Sequence, residues 1–367
     1  MTFDKPRLFD SERAPFQAHP DPKVRLLAYY PNWINSTVIC PPKKAPLQSE
    51  YVRPVLSSAL PSNISSALPV EVLHLVLAFL SLEDLVSLRQ TQQFFNIHIL
   101  AFPPYRHLYD NVPEVLHALF ATRLAHVHLV EKIFHAARAD RCCKCNRLGA
   151  FVFLFTLERC CFACLRDADH FRLIPINAAK DIFSLPSRIT KALPTLSVYC
   201  GTYGLKERKI WRRSKQLLSA RQVIQATALY HGSSEHLVKA QARNACASQC
   251  EHGPRQRSAK QWARALNFEI GGDPFSGVAA ISLPFLRQNQ TVETPMWCAG
   301  CEICFVKGLL HPADHDGRGM AYDLDKRAYT VAGLLAHSLE CPGARRIWDE
   351  SEAAPSGGVL EEQYLSI

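Results

Sequence analysis

From Leu68 to Leu100 the chain reads LPVEVLHLVLAFLSLEDLVSLRQTQQFFNIHIL. Between Val70 and Leu80 only Glu71 and His74 are polar. The run is too short to span a bilayer. A helix apolar nearly all round must be covered on more than one side. One side can face its own domain, and the other calls for a second cover. Pro69 suits a first helical position, where its missing N–H is not needed. Ser81-Leu82-Glu83-Asp84 reads as a new helix start, with Ser81 as N-cap and an acid three residues on. Leu82, Leu85, Val86 and Leu88 give that helix an apolar stripe, and Phe94, Phe95, Ile97 and Leu100 do the same for a third.

At these residues the chain resembles an F-box. The resemblance rests on Leu68-Pro69, Glu71-Val72-Leu73, Phe79-Leu80-Ser81-Leu82-Glu83-Asp84-Leu85 and Phe94; Gln92-Gln93 departs from it, where the family often has Cys-Arg. It implies docking to the Skp-type adaptor of a Skp–cullin–F-box ubiquitin ligase. The first two helices would carry that contact, through Leu68, Pro69, Leu73, Leu77 and Leu85. The bland alternative is an ordinary helical hairpin inside a larger core.

The strongest chemical signal is in the cysteines. The N-terminus has no apolar core of signal-peptide type, and no run is long and apolar enough for a membrane span. The expectation is an intracellular protein, cytoplasmic or nuclear, in a reducing compartment. Fourteen cysteines there point to metal ligands more than to disulfides. Cys142-Cys143-Lys144-Cys145 and Cys161-Phe162-Ala163-Cys164 each give a C-x2-C pair, and 15 residues separate Cys145 from Cys161. Two such turns aim four thiolates at one point and close a tetrahedral zinc site. Cys142, Cys145, Cys161 and Cys164 are the expected ligands, although Cys143 or Cys160 could replace its neighbour. The β-prone run Phe151–Leu157 would return the chain between the pairs. Buried thiols without metal are the alternative.

A second signal lies near the end. Cys298-Ala-Gly-Cys301 is a C-x2-C turn, and His337-Ser-Leu-Glu-Cys341 is H-x3-C at the end of a helix expected over Val331 to His337. Cys298, Cys301, His337 and Cys341 would form a second zinc site, with Cys304, His311 and His315 as rival ligands. Two structural zinc ions are therefore expected. The chain from Arg141 to Gly204 is similar to a family of fungal F-box proteins that carry a cysteine-rich domain. The similarity rests on the paired Cys turns, Ala178-Ala179-Lys180, Leu193-Pro194 and Gly201-Thr202-Tyr203-Gly204. The later Trp297-Cys298-x2-Cys301 and His337-x3-Cys341, with Ala344 and Trp348, extend it.

Other readings are weaker. His117, His126, His128 and His135 lie near one another on an expected helical stretch, Pro113 to Arg138, but their spacing is irregular. Residues 205–265 hold thirteen Lys or Arg against three acids, densest at Arg212-Arg213-Ser-Lys215. Nucleic acid is one reading; a solvated or protein-facing surface is the preferred one, since no base-reading motif accompanies the charge. Cys246, Cys250 and His252 lack visible partners.

The expected fold class is mainly α: an N-terminal F-box three-helix module, then a helical domain with zinc-held β-hairpins. The expected organisation is a Pro-rich, largely disordered leader over 1–65, with 10 of the 24 prolines, and the F-box over 66–110. A helix with the four-Cys module follows over 111–204, then a basic helical region closing with the second Cys/His site over 205–348, and a tail over 349–367. No nucleophile–base pair, phosphate loop or open metal site is legible. The resemblance therefore implies a non-catalytic subunit that reaches a cullin through its adaptor and binds an unidentified client. The rival readings are a zinc-dependent nucleic-acid-binding regulator and an F-box protein that acts outside a ligase.

Overall fold

A computed structural model of the chain describes residues 13–40, 68–183, 185–205, 209–231, 275, 277–306 and 324–353. Most of the expected leader, most of the basic region, Cys246, Cys250, His252, His311, His315 and the tail beyond 353 lie outside the described residues. About half of the described residues are helical, in fourteen α-helices joined by small sheets of two or three strands, in line with the mainly α expectation. Two compact units emerge. The larger holds Ile34–Cys160 and Cys164–Val292; the smaller holds the residues up to Trp33, those from Glu293 on, and Cys161–Ala163. The described residues within 13–33 and 293–353 thus share one unit, where a simple succession of domains was expected.

The larger unit begins with the three expected helices, Val70–Ala78, Leu82–Arg89 and Gln93–Ala101. The side chain of Ser81 accepts from the Asp84 N–H at 3.1 Å, so the second helix starts where the capping pattern places it. Arg89 Nε donates to Asn96 Oδ1 at 2.7 Å and ties the second helix to the third. Pro103 and Pro113 open the next two helices, Pro103–Asn111 and Pro113–Ala121, at the positions where proline needs no donor. The apolar stripe expected to run unbroken to Arg138 is interrupted. Arg123 takes a φ of 60°, and a fresh helix spans Val130–Arg138. Of the six apolar positions expected on the stripe, Leu116, Leu119, Leu124 and Val130 are buried, whereas Phe120 and Phe134 are only half-buried.

Behind them lies an antiparallel sheet of Phe151–Phe153, Glu158–Cys160 and Ala280–Ser282, with Phe151 opposite Cys160. Phe151, Val152 and Phe153 are all buried, so this hairpin is core on both faces. A second sheet joins Leu173–Pro175, Gln216–Ser219 and Leu196–Ser197, and Ile176–Phe183 and Ser187–Ala192 form two short helices near it.

Arg159 fixes the first sheet to its surroundings. Its guanidinium donates to the carbonyls of Ala136 (2.8 Å), Ala137 (3.0 Å), Gly149 (3.3 Å), Leu283 (2.5 Å) and Pro284 (2.7 Å). Ala136 and Ala137 sit in the last turn of the Val130–Arg138 helix, whose end carbonyls lack helical partners and carry partial negative charge. Burial draws the Arg159 pKa down to about 9, which still leaves the group charged at neutral pH.

The smaller unit contains the part of the leader that holds Tyr29, Tyr30 and Trp33, the aromatics that make a short docked piece expected there. Asp21 caps a helix at Pro22–Leu27, and Ala28–Tyr29 pairs with Met296–Cys298, which pairs in turn with Ala328–Tyr329. Trp297 is fully buried at its centre, met edge-on by Tyr30 at 5.5 Å and Trp33 at 5.9 Å. Three aromatics close together supply enough apolar surface to dock a Pro-rich segment. The last helix, Pro342–Ala353, runs past the expected tail boundary at 349. No helix among the described residues is long and apolar enough to cross a membrane.

Candidate metal centres and an exposed helical face

The ligand atoms of Cys142, Cys145, Cys161 and Cys164 lie within 4.8 Å of one another. The first pair sits in a tight turn closed by the Arg141–Leu148 bridge. The Cys142 N–H donates to the Arg147 carbonyl at 2.7 Å, and Asn146 takes a φ of 59°, a left-handed conformation that asparagine tolerates. The second pair straddles the exit from the Glu158–Cys160 strand into the helix Phe162–Asp167. The alternation of the strand and the turn directs the neighbouring Cys160 and Cys143 away from this group of four. Cys160 is fully buried with its sulfur toward the Phe151 carbonyl at 3.7 Å, and Cys143 points to Glu158 and His170 instead.

Cys298, Cys301, His337 and Cys341 form the second cluster, again with donor atoms within 4.8 Å. Cys298 ends the Met296–Cys298 strand and Cys301 lies in the first turn of the helix Ala299–Val306. His337 lies at the end of Val331–Ser338, whose first turn is held by Thr330 and by Glu293, which accepts from the Val331 N–H at 2.8 Å. Tyr329 stacks on the His337 ring at 4.5 Å. Helices Ala299–Val306 and Pro342–Ala353 approach so closely that a Cβ on Gly343 would stand 2.2 Å from the Gly300 carbonyl oxygen and 2.9 Å from the Cys304 sulfur. Cys304 is thus buried beside this cluster but is not among the four donors.

The donor chemistry of both clusters fits a metal of zinc type. Zinc–sulfur bonds of about 2.3 Å give a tetrahedron whose edges are about 3.8 Å, and the Cys301 and Cys341 sulfurs lie 3.9 Å apart. Hydrogen bonding to Cys298 and Cys341, together with burial, pushes the Cys301 thiol up, while hydrogen bonds from Cys298 and Cys301 hold Cys341 down. The three crowded thiols deprotonate together only when a cation balances the charge.

The histidines of 117–135 join no such cluster among the described residues. His128 instead contacts the Leu154 carbonyl at 2.7 Å inside the core. Glu158 and His170, which no sequence spacing links to Cys143, form a third group with it. A C-x2-C signature is local, whereas these three residues meet only through the hairpin.

The helix Val70–Ala78 divides its apolar residues between two faces. Leu73 and Leu77 point inward, as does Leu85 of the next helix. Val72, Leu75, Val76 and Phe79 share the opposite face at spacings of three and four residues, with Leu68 just ahead of it. All five are exposed, Leu75 by 64% and Phe79 by 78%. Of the five residues expected to touch a partner, Leu68 and Pro69 are therefore at the surface. Leu73, Leu77 and Leu85 instead support that surface from beneath.

Among known proteins, no family model, no curated protein and no solved structure matches this chain.

Proposed function

We propose that the chain is a docking subunit that binds a Skp-type adaptor through the exposed face of Leu68–Phe79 and holds a client protein with the remainder of the molecule. It would thereby serve as a non-catalytic specificity subunit of a Skp–cullin–F-box ubiquitin ligase. The observation that carries the reading is the exposed apolar stripe of Leu68, Val72, Leu75, Val76 and Phe79 on a short capped helical module. A contiguous apolar face of this kind on a folded protein marks an interaction site, and the motif that supplies it is the one that resembles an F-box. In this reading both four-donor clusters hold structural zinc. Cys142, Cys145, Cys161 and Cys164 bind one ion and Cys298, Cys301, His337 and Cys341 the other. Bound there, the ion ties segments far apart in sequence and performs no reaction, because four protein donors leave no open position.

In the basic region, the strand Lys209–Trp211 pairs with Gly201–Tyr203, and its surroundings support a protein-facing role better than a nucleic-acid one. Trp211 is buried between Lys209 and Lys215, whose ammonium groups lie 4.9 Å and 5.2 Å from its ring, so its face is not offered to a base. Affinity purification followed by mass spectrometry tests the proposal. Adaptor together with cullin is the expected result. Adaptor alone would place the protein outside a ligase, and nuclease-sensitive partners without adaptor would favour nucleic-acid binding.

A further inference from the structure

We infer that Cys143, Glu158 and His170 form a third metal site, which takes one divalent ion of zinc type through three protein donors and leaves its fourth position to solvent. The inference is independent of the docking role. The three donors come from separate places: Cys143 from the turn after Arg141, Glu158 from the start of its strand, and His170 from the short turn Asp169–Phe171. Their ligand atoms nonetheless lie within 4.8 Å of one another.

Each donor is held in place. His170 Nε2 is in direct hydrogen-bond contact with Glu158 Oε2, and Thr156 Oγ1 donates to that same oxygen at 2.6 Å. The His170 side chain is only 8% exposed and packs edge-on to Phe171 at 4.9 Å. The Cys143 N–H donates to the Arg159 carbonyl at 3.0 Å, which fixes the backbone that carries the sulfur. A sulfur, a nitrogen and an oxygen suit zinc or cobalt, not calcium or magnesium. Three protein donors with an accessible fourth position are the pattern of sites whose metal carries water or an exchangeable ligand. Cys143 is exposed, so solvent reaches that position.

One group opposes the ion. Arg221 Nη1 lies 3.0 Å from His170 Nδ1 and 3.2 Å from Nε2. This guanidinium competes with a cation for the same imidazole. Arg221 is exposed at the start of its helix and has room to turn outward. Removing it should therefore tighten metal binding, whereas a purely polar Glu158–His170–Arg221 network would make no such demand.

The test uses the full-length protein, dialysed against micromolar free zinc and assayed for metal per chain. Cys143→Ser, Glu158→Gln and His170→Ala should each bind one zinc fewer than the unaltered protein, whatever the absolute count. That difference separates this site from the two four-donor clusters, which are counted independently with Cys161→Ser and Cys298→Ser. Glu158→Gln and His170→Ala leave the Cys142–Cys145 turn intact, so they remain informative if Cys143→Ser disturbs it. Arg221→Ala should retain the ion at free zinc at least tenfold lower. In cobalt-loaded protein, azide should change the visible absorption of the unaltered chain and not of His170→Ala. Equal metal counts in the unaltered protein and in His170→Ala would overturn the site. So would unchanged affinity in Arg221→Ala, and a cobalt spectrum indifferent to azide would overturn the open position.

Discussion

The sulfur of Cys301 lies 3.9 Å from that of Cys341, although the two residues are 40 positions apart in the chain. That separation matches the length of an edge in a zinc–thiolate tetrahedron, about 3.8 Å. It is reached because the helix Ala299–Val306, which carries Cys301 in its first turn, and the helix that begins just after Cys341 cross at Gly300 and Gly343, and because His337 delivers its ring from the end of a third helix. The metal proposed there would close a unit built from the described residues within 13–33 and 293–353.

Structural zinc in small modules contributes on the order of 10–16 kcal/mol of apparent binding energy, more than the whole net stability of many domains. Cys161→Ser and Cys298→Ser should each lower the zinc count by one and expose the surrounding residues to protease. Cys160 neighbours Cys161 and is a thiol, so the double change Cys160→Ser with Cys161→Ser is the control. Elemental analysis with limited proteolysis reads both effects.

Gly343→Ala should impair the second cluster while leaving the first intact. The new methyl group would stand 2.2 Å from the Gly300 carbonyl oxygen and 2.9 Å from the Cys304 sulfur. The two helices must then move apart, at a cost on the order of 1–3 kcal/mol. Zinc affinity of the second site, measured by competition with a chelator, should fall at least tenfold.

Arg159→Met should destabilise the larger unit by at least about 3 kcal/mol, since it leaves several buried carbonyls without donors. Arg159→Lys should recover only part of the loss. An ammonium has three donors and cannot match a planar fork that now serves five carbonyls. Urea denaturation of the zinc-loaded proteins distinguishes the two variants.

His128 makes stability fall in mild acid. Burial lowers its pKa from 6.5 to about 4, against the opposing hydrogen bond to Leu154. Above pH 6.5 neither the folded nor the unfolded chain protonates it. Between pH 6.5 and about 4 the unfolded chain binds the proton and the folded chain does not, so stability drops as pH falls through that window. The full effect approaches about 3 kcal/mol. His128→Gln keeps an N–H for the Leu154 carbonyl and removes the titration. The difference in unfolding free energy between the two proteins should therefore change across the window and be flat above it.

Features written in short stretches were legible in the sequence. The Ser81 cap and the Phe151–Cys160 hairpin each follow from a few neighbouring residues, as does the pairing of Cys142 and Cys145 with Cys161 and Cys164. What escaped depends on contacts between distant segments. Tyr29, Tyr30 and Trp33 mark a segment of the leader able to dock, but nothing in the sequence says that Trp297 is what they pack on. Arg159 reads as a solvated charge until five carbonyls converge on it. Leu73 and Phe79 look alike in an almost wholly apolar helix, and only packing decides which faces inward. Glu158 and His170 carry no spacing that points to Cys143.

The face of Leu68–Phe79 bears most directly on the proposed function. Interface energy concentrates in a few apolar anchors, each worth about 2 kcal/mol or more. Leu75 and Phe79 are exposed, so Leu75→Asp with Phe79→Asp should leave the fold and the zinc content unchanged. Titration calorimetry of the purified full-length protein against a purified Skp-type adaptor should show saturable one-to-one binding. The double variant should weaken that binding at least a hundredfold. An unaltered protein that fails to bind the adaptor, or a double variant that binds it equally well, would contradict the account.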